Sequence, residues 1–331
     1  MATVPAGGAA IYDIGGQTQQ VLARAGLVFV VTGSAVGGWL EIVTMCDTRA
    51  WARASDMLLS GPGSGGDIGK SFDFSEAVIV LDPGHGGPSN IGAVAVTGLK
   101  EKDVNVDIAR RARDLFAAPH NVDWDEGTVY TGTQVPAAAR IIVTRTGSDE
   151  LADYEAGLFF RAELANAMGA DAFVAIHNNA GHDRVSEAPG SDVYYQSQID
   201  DSRRFATIMV EEFNRSFAPF GTDWVGVQDT GAKSRLSTKS PGKQYYGVLK
   251  RTEMPAVIAE GAFMSSRSEA DLLATPEFRQ AYAEAVYRAV VRFLTDDAFG
   301  DAPSFDPKTW SGFAGSGDAR PTCKIPSQDD S

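Results

Sequence analysis

The chain has 331 residues, 44% of them hydrophobic, which is enough to bury one large core and a smaller companion, so a globally disordered chain is excluded. Its formal net charge of -14 excludes a typical nucleic-acid partner, because neutralising phosphates requires clustered Lys and Arg. The 2 cysteines, Cys46 and Cys323, exclude a zinc site of four thiolates and allow at most one disulfide.

The first segment, residues 8–60, predicts a small all-β domain. Short β-favouring runs at 27–32 and 39–44 are separated by Gly-containing turns. Residues 61–73 are rich in Gly, Ser and Pro and predict a linker. We therefore expect the first domain to be mechanically separate from the rest of the chain.

No membrane or export segment is predicted. The apolar stretch Ala25–Leu40 is too short to span a bilayer. Residues 1–20 contain neither the basic start nor the apolar run of a secretory signal.

Beyond the linker, residues 74–298 alternate between strand-like and helix-like patterns. This alternation predicts an α/β domain with a mostly parallel sheet flanked by helices. The predicted strands are 77–81, 140–144, 172–176, 192–195 and 255–259, and the predicted helices are 103–116, 157–168, 202–217 and 277–294. The segment 117–139 is either a lid over the site or a tolerated surface insertion, and its length favours the latter. Residues 299–331 are predicted to form a C-terminal tail.

Two of the 4 histidines, His85 and His177, directly follow apolar strand-like runs. The carboxyl ends of parallel strands meet at one edge of a sheet, so both side chains are expected there. Either histidine alone is more often a satisfied polar residue than a ligand. Together they indicate a metal or acid–base site.

A catalytic zinc site with two histidines needs one more protein ligand. Glu101, just before a predicted helix, is one candidate, although a glutamate there also simply favours the helix dipole. Glu260, after the apolar run 255–259, is the other, because an ionised carboxylate is costly to bury without a partner.

Four motifs, in order, give residues 77–294 a family resemblance. They are VIVLDPGHGG at 78–87, TGLKEKDVNVDIA at 97–109, RAELANAMGADAFVAIHNNA at 161–180 and VLKRTEMPAVIAEGAF at 248–263. This part of the chain resembles the zinc-dependent N-acetylmuramoyl-L-alanine amidases. The resemblance implies one zinc ion per chain, held by His85, Glu101 and His177, with Glu260 as the general base that hydrolyses the amide between N-acetylmuramic acid and L-alanine.

The chain departs from the family pattern at two places. Ser265 and Ser266 stand where the family usually has an asparagine, and Val225-Gly226-Val227 replaces a common Arg-Gly-Val. The first departure affects loop shape, and the second alters a candidate substrate contact.

Three further polar residues are candidates for orienting the ligands or contacting substrate: Asp82, Asn179 and Arg251. A loop-capping role is equally consistent for Asp82 and Asn179. The basic segment 221–244 contributes Lys233, Arg235, Lys239 and Lys243, which are either solvated loop charges or contacts for stem-peptide carboxylates.

The segment at 37–58, with Trp39 and Trp51, resembles the bacterial SH3-like domains that accompany wall hydrolases. This predicts that the first domain binds the wall and takes no part in catalysis. The resemblances imply peptidoglycan or muropeptides as substrate and an extracellular or cell-envelope location, with host and phage origins both open. We expect a monomer.

Two rival interpretations are weaker. A zinc peptidase of another fold does not account for the motifs around His85 and Glu260 together. A wall-binding protein without activity does not account for the presence of all four residues that the resemblance places in the reaction, which are His85, Glu101, His177 and Glu260.

Overall fold

The structure is a computed structural model, and it describes residues 2–13, 18–24, 27–36, 38–44, 48–59, 69, 72–87, 90–147, 158–181, 190–221, 231–310 and 327. No described helix combines the length and apolar character needed to cross a membrane.

The N-terminal part forms an antiparallel sheet. Its strands are β1 (Ala2–Thr3), β2 (Ala9–Tyr12), β3 (Gln19–Ala23), β4 (Val28–Val36), β5 (Trp39–Val43), β6 (Arg49–Arg53) and β7 (Leu58–Leu59). The seven strands lie in the order β3-β2-β6-β5-β4-β1-β7. Buried and partly exposed residues alternate along β5 and β6, as expected for strands with one face against a core.

The larger part is an α/β domain. Its remaining strands are β8 (Val78–Pro83), β9 (His120–Asp123), β10 (Thr128–Thr131), β11 (Arg140–Val143), β12 (Ala172–Asn179), β13 (Asp192–Tyr195), β14 (Gly231–Lys233), β15 (Arg235–Ser237), β16 (Ala256–Phe263) and β17 (Lys308–Trp310). The helices are α1 (Glu101–Phe116), α2 (Leu158–Met168), α3 (Asp201–Phe217), α4 (Arg267–Leu273) and α5 (Pro276–Thr295). All predicted strands and helices are present, with ends shifted by a few residues.

The central sheet has six strands in the order β11-β8-β12-β16-β13-β14. Neighbouring pairs among β11, β8, β12 and β16 are parallel. β13 runs antiparallel to β16, and β14 runs parallel to β13. The sheet is therefore mixed at one side, while the strands that precede the site residues are parallel as predicted.

Helices cover both faces of this sheet. One core includes Ile79, Val174 and Val257 of the sheet together with residues of α1, α3 and α5. α5 begins at Pro276, and the Thr275 side chain accepts a hydrogen bond from the Phe278 backbone, so a cap and an N1 proline fix its start.

The opposite face of the sheet shares its core with the N-terminal domain. Phe160 and Leu164 of α2 lie in the same buried cluster as Phe29 and Val30 of β4, and α2 contacts β4. The expectation of a mechanically separate domain is therefore wrong. A Gly/Ser-rich connection does not prevent docking when apolar surfaces on both sides can be buried.

The C-terminal residues 299–310 pair with the α/β domain. β17 lies parallel to β15, and Ala232 exchanges backbone hydrogen bonds with Pro303 and Phe305. The prediction of a tail from residue 299 is therefore wrong for this described part.

The segment 117–139 contains the hairpin β9–β10. It follows the far end of α1, a helix of 16 residues that spans roughly 24 Å at 1.5 Å per residue. The Gly127 carbonyl accepts a hydrogen bond from Arg288 of α5. The hairpin is thus a surface insertion on the side of the domain remote from Glu101, and it is not a lid.

Candidate metal centre

Three neighbouring strands bring the predicted site residues to one edge of the sheet. His85 lies two residues beyond β8, His177 lies near the end of β12, and Glu260 lies on β16 directly opposite His177. Glu101 is the first residue of α1 and reaches the same edge.

His85, Glu101 and His177 form a compact group. His85 Nε2 lies 3.0 Å from Glu101 Oε2, and His177 Nδ1 lies 3.2 Å from Glu101 Oε1. One candidate ligand atom from each residue lies within 4.8 Å of the other two. Two imidazoles and one carboxylate are a usual donor set for catalytic zinc, so the residues fit this ion.

Charge within the group also suits a metal ligand set. Burial acts to raise the pKa of Glu101, but the two imidazoles outweigh it and hold that pKa well below its usual range. Burial lowers the pKa of the His177 imidazole, which favours its neutral, ligand-competent form. These two shifts favour an ionised Glu101 and a neutral His177, whereas the negative charge of Glu101, together with hydrogen bonds to Glu101 and Asn90, outweighs burial and raises the pKa of His85.

Hydrogen bonds outside the group fix the orientation of its members. Asn90 Oδ1 lies 2.7 Å from His85 Nδ1, so a proton on Nδ1 leaves the Nε2 lone pair facing Glu101. The Glu101 carboxylate accepts backbone N–H bonds from Ala93 and Asn178, and Asn105 donates to it at 3.4 Å. The sequence prediction missed Asn90, Asn105 and Asn178. The only sign of them in the sequence is that each is an asparagine a few residues from His85, Glu101 or His177.

The loop that carries His85 has a special backbone. His85 is the only described non-glycine residue with a positive φ, at 64°. Gly92, at φ 70°, packs against Glu101 and His85: a Cβ there would lie 2.5 Å from Glu101 Oε2 and 2.7 Å from His85 Cδ2. A Cβ at Gly84 would overlap the His177 ring. The close approach of the backbone to these side chains thus explains both glycines.

Two buried arginines hold this loop. Arg161 pairs with Asp82 at 2.6 Å and donates to the carbonyl oxygens of Pro83 and His85. Arg145 donates to the carbonyls of Pro83 and Gly84. Burial lowers the pKa of Arg145 to about 9. Asp82 therefore acts on the loop through Arg161, and no described hydrogen bond joins it to either imidazole.

Glu260 lies beside the group with an unused carboxylate oxygen. Its Oε2 is buried and has no hydrogen-bond partner among the described residues. Burial, with the negative charges of Glu101 and Asp192, raises the pKa of Glu260 well above its usual value. A buried carboxylate with a raised pKa is a candidate proton acceptor.

A tyrosine of α5 fixes the backbone around His177 and Glu260. The Tyr282 hydroxyl lies 2.9 Å from the His177 carbonyl and 2.8 Å from the Ala259 carbonyl, and it accepts a hydrogen bond from the Gly261 backbone at 3.0 Å. The sequence gives no local sign of this contact, because Tyr282 is far along the chain.

The other candidate residues lie elsewhere. Asn179 donates to Asp192 at 3.4 Å and does not contact His177. Arg251 precedes β16, at the end remote from Glu260, and lies 3.4 Å from Glu163 on the surface. Residues 225–227, Cys46 and Cys323 lie outside the described residues.

The basic segment separates into two groups. Lys233 pairs with Asp192 at 2.7 Å, and Arg235 is partly buried among aromatic rings. Lys239 and Lys243 are exposed, as the solvated-charge interpretation predicts.

This arrangement, a His–Glu–His group beside a buried glutamate at the carboxyl edge of an α/β sheet, defines an enzyme built around a candidate metal centre. Residues 79–292 match the family model described as N-acetylmuramoyl-L-alanine amidase. The chain belongs to this family, and it is a peptidoglycan amidase.

Individual relatives agree with the family match. A germination-specific N-acetylmuramoyl-L-alanine amidase of Bacillus subtilis is 27% identical over 244 residues, which cover 70% of this chain and 85% of that protein. An endolysin of Bacillus phage SPP1 is 27% identical over 237 residues, covering 71% of this chain and 73% of that protein. The CwlD amidase of Clostridioides difficile, solved in complex with the GerS lipoprotein, shares the fold with a TM-score of 0.50 at 24% identity, covering 66% of this chain and 98% of that one.

Proposed function

We propose that the enzyme hydrolyses the amide between N-acetylmuramic acid and L-alanine with one zinc ion, held by His85, Glu101 and His177, and with Glu260 as general base. The observation that carries this proposal is the group of three ligand atoms within 4.8 Å, with Glu260 opposite His177 on the next strand. A zinc ion held by these three residues would supply a water molecule of lowered pKa and a Lewis acid for the scissile carbonyl.

Glu260 accepts and then donates the proton in this mechanism. Its free Oε2 can accept a proton from the attacking water, because no side chain or backbone group of the described residues occupies that oxygen. The same carboxyl then donates the proton to the departing alanine nitrogen. Its raised pKa favours this donation, while Tyr282 keeps the strand carrying Glu260 next to the strand carrying His177.

The N-terminal sheet is proposed to be an SH3-like module that binds the wall. Tyr12 packs edge-on against Trp39 at 4.9 Å, and the Arg53 guanidinium lies 4.1 Å from the Trp39 ring centre. Partly exposed aromatic rings of this kind can pack against sugars or peptides. We further propose an extracellular or cell-envelope location and a monomer.

Metal content and product identity test the catalytic proposal. His177→Ala should lower both zinc content and rate, because a site that loses one of three donors holds its ion far less tightly. Glu260→Gln should retain about one zinc per chain while turnover falls roughly 100-fold to 10,000-fold, the usual contribution of general acid–base catalysis. Emission spectroscopy gives the zinc content, and mass spectrometry of cleaved muropeptides identifies the broken bond.

Matched controls are available in the chain. His120→Ala changes a histidine of the hairpin β9–β10, and Glu277→Gln changes an exposed glutamate of α5. Both variants should keep zinc and activity. A zinc-free Glu260→Gln protein would instead make Glu260 a ligand, and a fully active one would remove it from the mechanism.

A further inference from the structure

Arg235 lies in a cage of aromatic side chains. Its guanidinium carbon is 3.8 Å from the ring centre of Trp310 and 4.6 Å from that of Tyr194. It donates hydrogen bonds to the hydroxyls of Tyr246 at 2.7 Å and Tyr194 at 2.8 Å. We call these four residues the Arg235 cage.

Arg235 forms no ion pair within 4.0 Å with a carboxylate of the described residues, although its charge acts on Asp192 and Glu260 over a longer distance. The nearby Lys233, in contrast, is paired with Asp192 at 2.7 Å. Two of the five N–H donors of Arg235 bond to tyrosine hydroxyls, and the other three have no hydrogen-bond acceptor among the described side chains and backbone groups. In a chain of net charge -14, a partly buried cation without a carboxylate is a site with spare binding capacity for an anion.

The cage lies on the face of the sheet to which Glu260 points. Asp192 is directly opposite Glu260, and Tyr194 is two residues further along the same strand, so all three side chains share one face. The Tyr194 hydroxyl lies 3.4 Å from Asp192 and 2.8 Å from Arg235. The positive charge of Arg235 also offsets part of the rise in the pKa of Glu260. Tyr194 therefore links Arg235 to Asp192, the residue that lies opposite the proposed general base.

We propose that the Arg235 cage is a subsite for a carboxylate of the stem peptide, two or three residues from the scissile amide. An extended peptide covers about 3.5 Å per residue, so such a carboxylate spans about 7–10 Å from the reacting carbonyl. The planar guanidinium binds a carboxylate through two parallel N–H bonds, and stacking on Trp310 holds its plane. This inference rests on the proposed function, because it assumes that the acidic stem peptide of the bound substrate extends from Glu260 along this face of the sheet.

The C-terminal segment is part of this subsite. Trp310 belongs to β17, which pairs with the strand of Arg235. The cage therefore requires residues beyond the region that matches the family model, which ends at residue 292. Arg235 itself is assigned a specificity-determining role, and Trp310 a positioning role.

Kinetics on two matched peptides test the subsite. One muramoyl-tripeptide carries a free carboxylate on its second residue, and the other carries a carboxamide there and is otherwise identical. Arg235→Gln should raise KM for the carboxylate peptide by about 10- to 100-fold, the range for hydrogen bonds to a charged group, and should leave KM for the carboxamide peptide nearly unchanged. Trp310→Ala should partly reduce the preference for the carboxylate peptide over the carboxamide peptide. The control Lys243→Gln removes an exposed cation of the same segment and should change neither KM.

Equal losses on both peptides would overturn the subsite, because a purely structural role of Arg235 does not distinguish them. The same comparison is made by calorimetric Kd in the Glu260→Gln background, which needs no turnover. Wild-type protein that cleaves neither peptide would contradict the proposed function, whereas the carboxylate preference in Kd would still support or overturn the subsite. An unchanged preference in Arg235→Gln would also overturn it.

Discussion

Glu269 should make the stability of the protein depend on pH. This residue of α4 is almost fully buried, and its carboxylate accepts the Phe263 backbone N–H at 2.7 Å, while Oε1 has no partner among the described residues. Burial raises the pKa of Glu269 from 4.5 to about 7, although the contacts with Phe263, Ser266 and Gly190 oppose the rise. The folded state therefore binds a proton that the unfolded chain releases near its ordinary pKa.

The size of the effect follows from this change. A tenfold change in proton affinity is worth 1.36 kcal/mol, so a pKa raised from 4.5 to about 7 corresponds to about 3 kcal/mol. Because the folded pKa is the higher one, the contribution is fully present below pH 4.5 and is lost as the pH rises through about 7. The folded protein should thus be destabilised by Glu269 at alkaline pH and not at acidic pH.

Glu269→Gln removes this dependence while keeping the acceptor for Phe263. The free energy of unfolding of Glu269→Gln should equal that of wild type at about pH 4 and exceed it by about 3 kcal/mol at about pH 8. Both proteins are treated with a chelator to remove metal and are unfolded in urea at each pH in this range. Circular dichroism then gives the difference in the free energy of unfolding at each pH. The exposed Glu277→Gln is the control. A difference that does not vary with pH would refute the reasoning.

Three further predictions concern the support of the site. Tyr282→Phe leaves the Gly261 N–H and two carbonyls without the hydroxyl, so thermal and urea unfolding should show a loss of about 1–3 kcal/mol, and unchanged stability would contradict the bridging role. Asn90→Ala should weaken zinc binding about 10- to 100-fold in chelator competition. Asn90→Asp keeps the acceptor for His85 Nδ1 and should retain most of the zinc affinity. Equal losses of affinity in the two variants would argue against the bond to His85 Nδ1. A chain beginning at residue 72 should melt at a lower temperature and aggregate, because Phe160 and Leu164 lose the cover of β4; a melting temperature equal to that of the full chain would restore the idea of independent domains.

The common location of His85, Glu101, His177 and Glu260 was predictable because each lies in or beside a recognisable element at one side of the sheet. Apolar runs mark β8, β12 and β16, and parallel strands deliver their following residues to one edge. The group His85, Glu101 and His177 is assembled in the structure as the resemblance implied. Local pattern was sufficient here, since the distances between these residues are set by regular strand pairing.

The supporting contacts were not predictable in the same way. Asn179 was a candidate for orienting the imidazoles, yet its side chain donates to Asp192. The backbone N–H of the preceding residue, Asn178, bonds to the Glu101 carboxylate instead. Arg161 and Tyr282 reach the site from helices and bond to backbone carbonyls, which leave no mark in the sequence.

Errors in domain organisation have a similar cause. A Gly/Ser-rich segment indicates freedom of the chain within it, but it says nothing about the apolar surfaces of β4 and α2 that meet beyond it. The docking of residues 299–310 likewise depends on backbone groups of Ala232, which any sequence presents.

The adjacent positions of His177 and Glu260 have a consequence for how such an enzyme can diversify. Paired residues on neighbouring strands are held at the spacing of the sheet, about 5 Å, whatever loops surround them. The spacing between the proposed ligand His177 and the proposed base Glu260 is thus set by the backbone, while the segments that meet the substrate can lengthen, shorten or change sequence. New wall chemistries can therefore be matched by loop variation alone, without rebuilding the reacting centre.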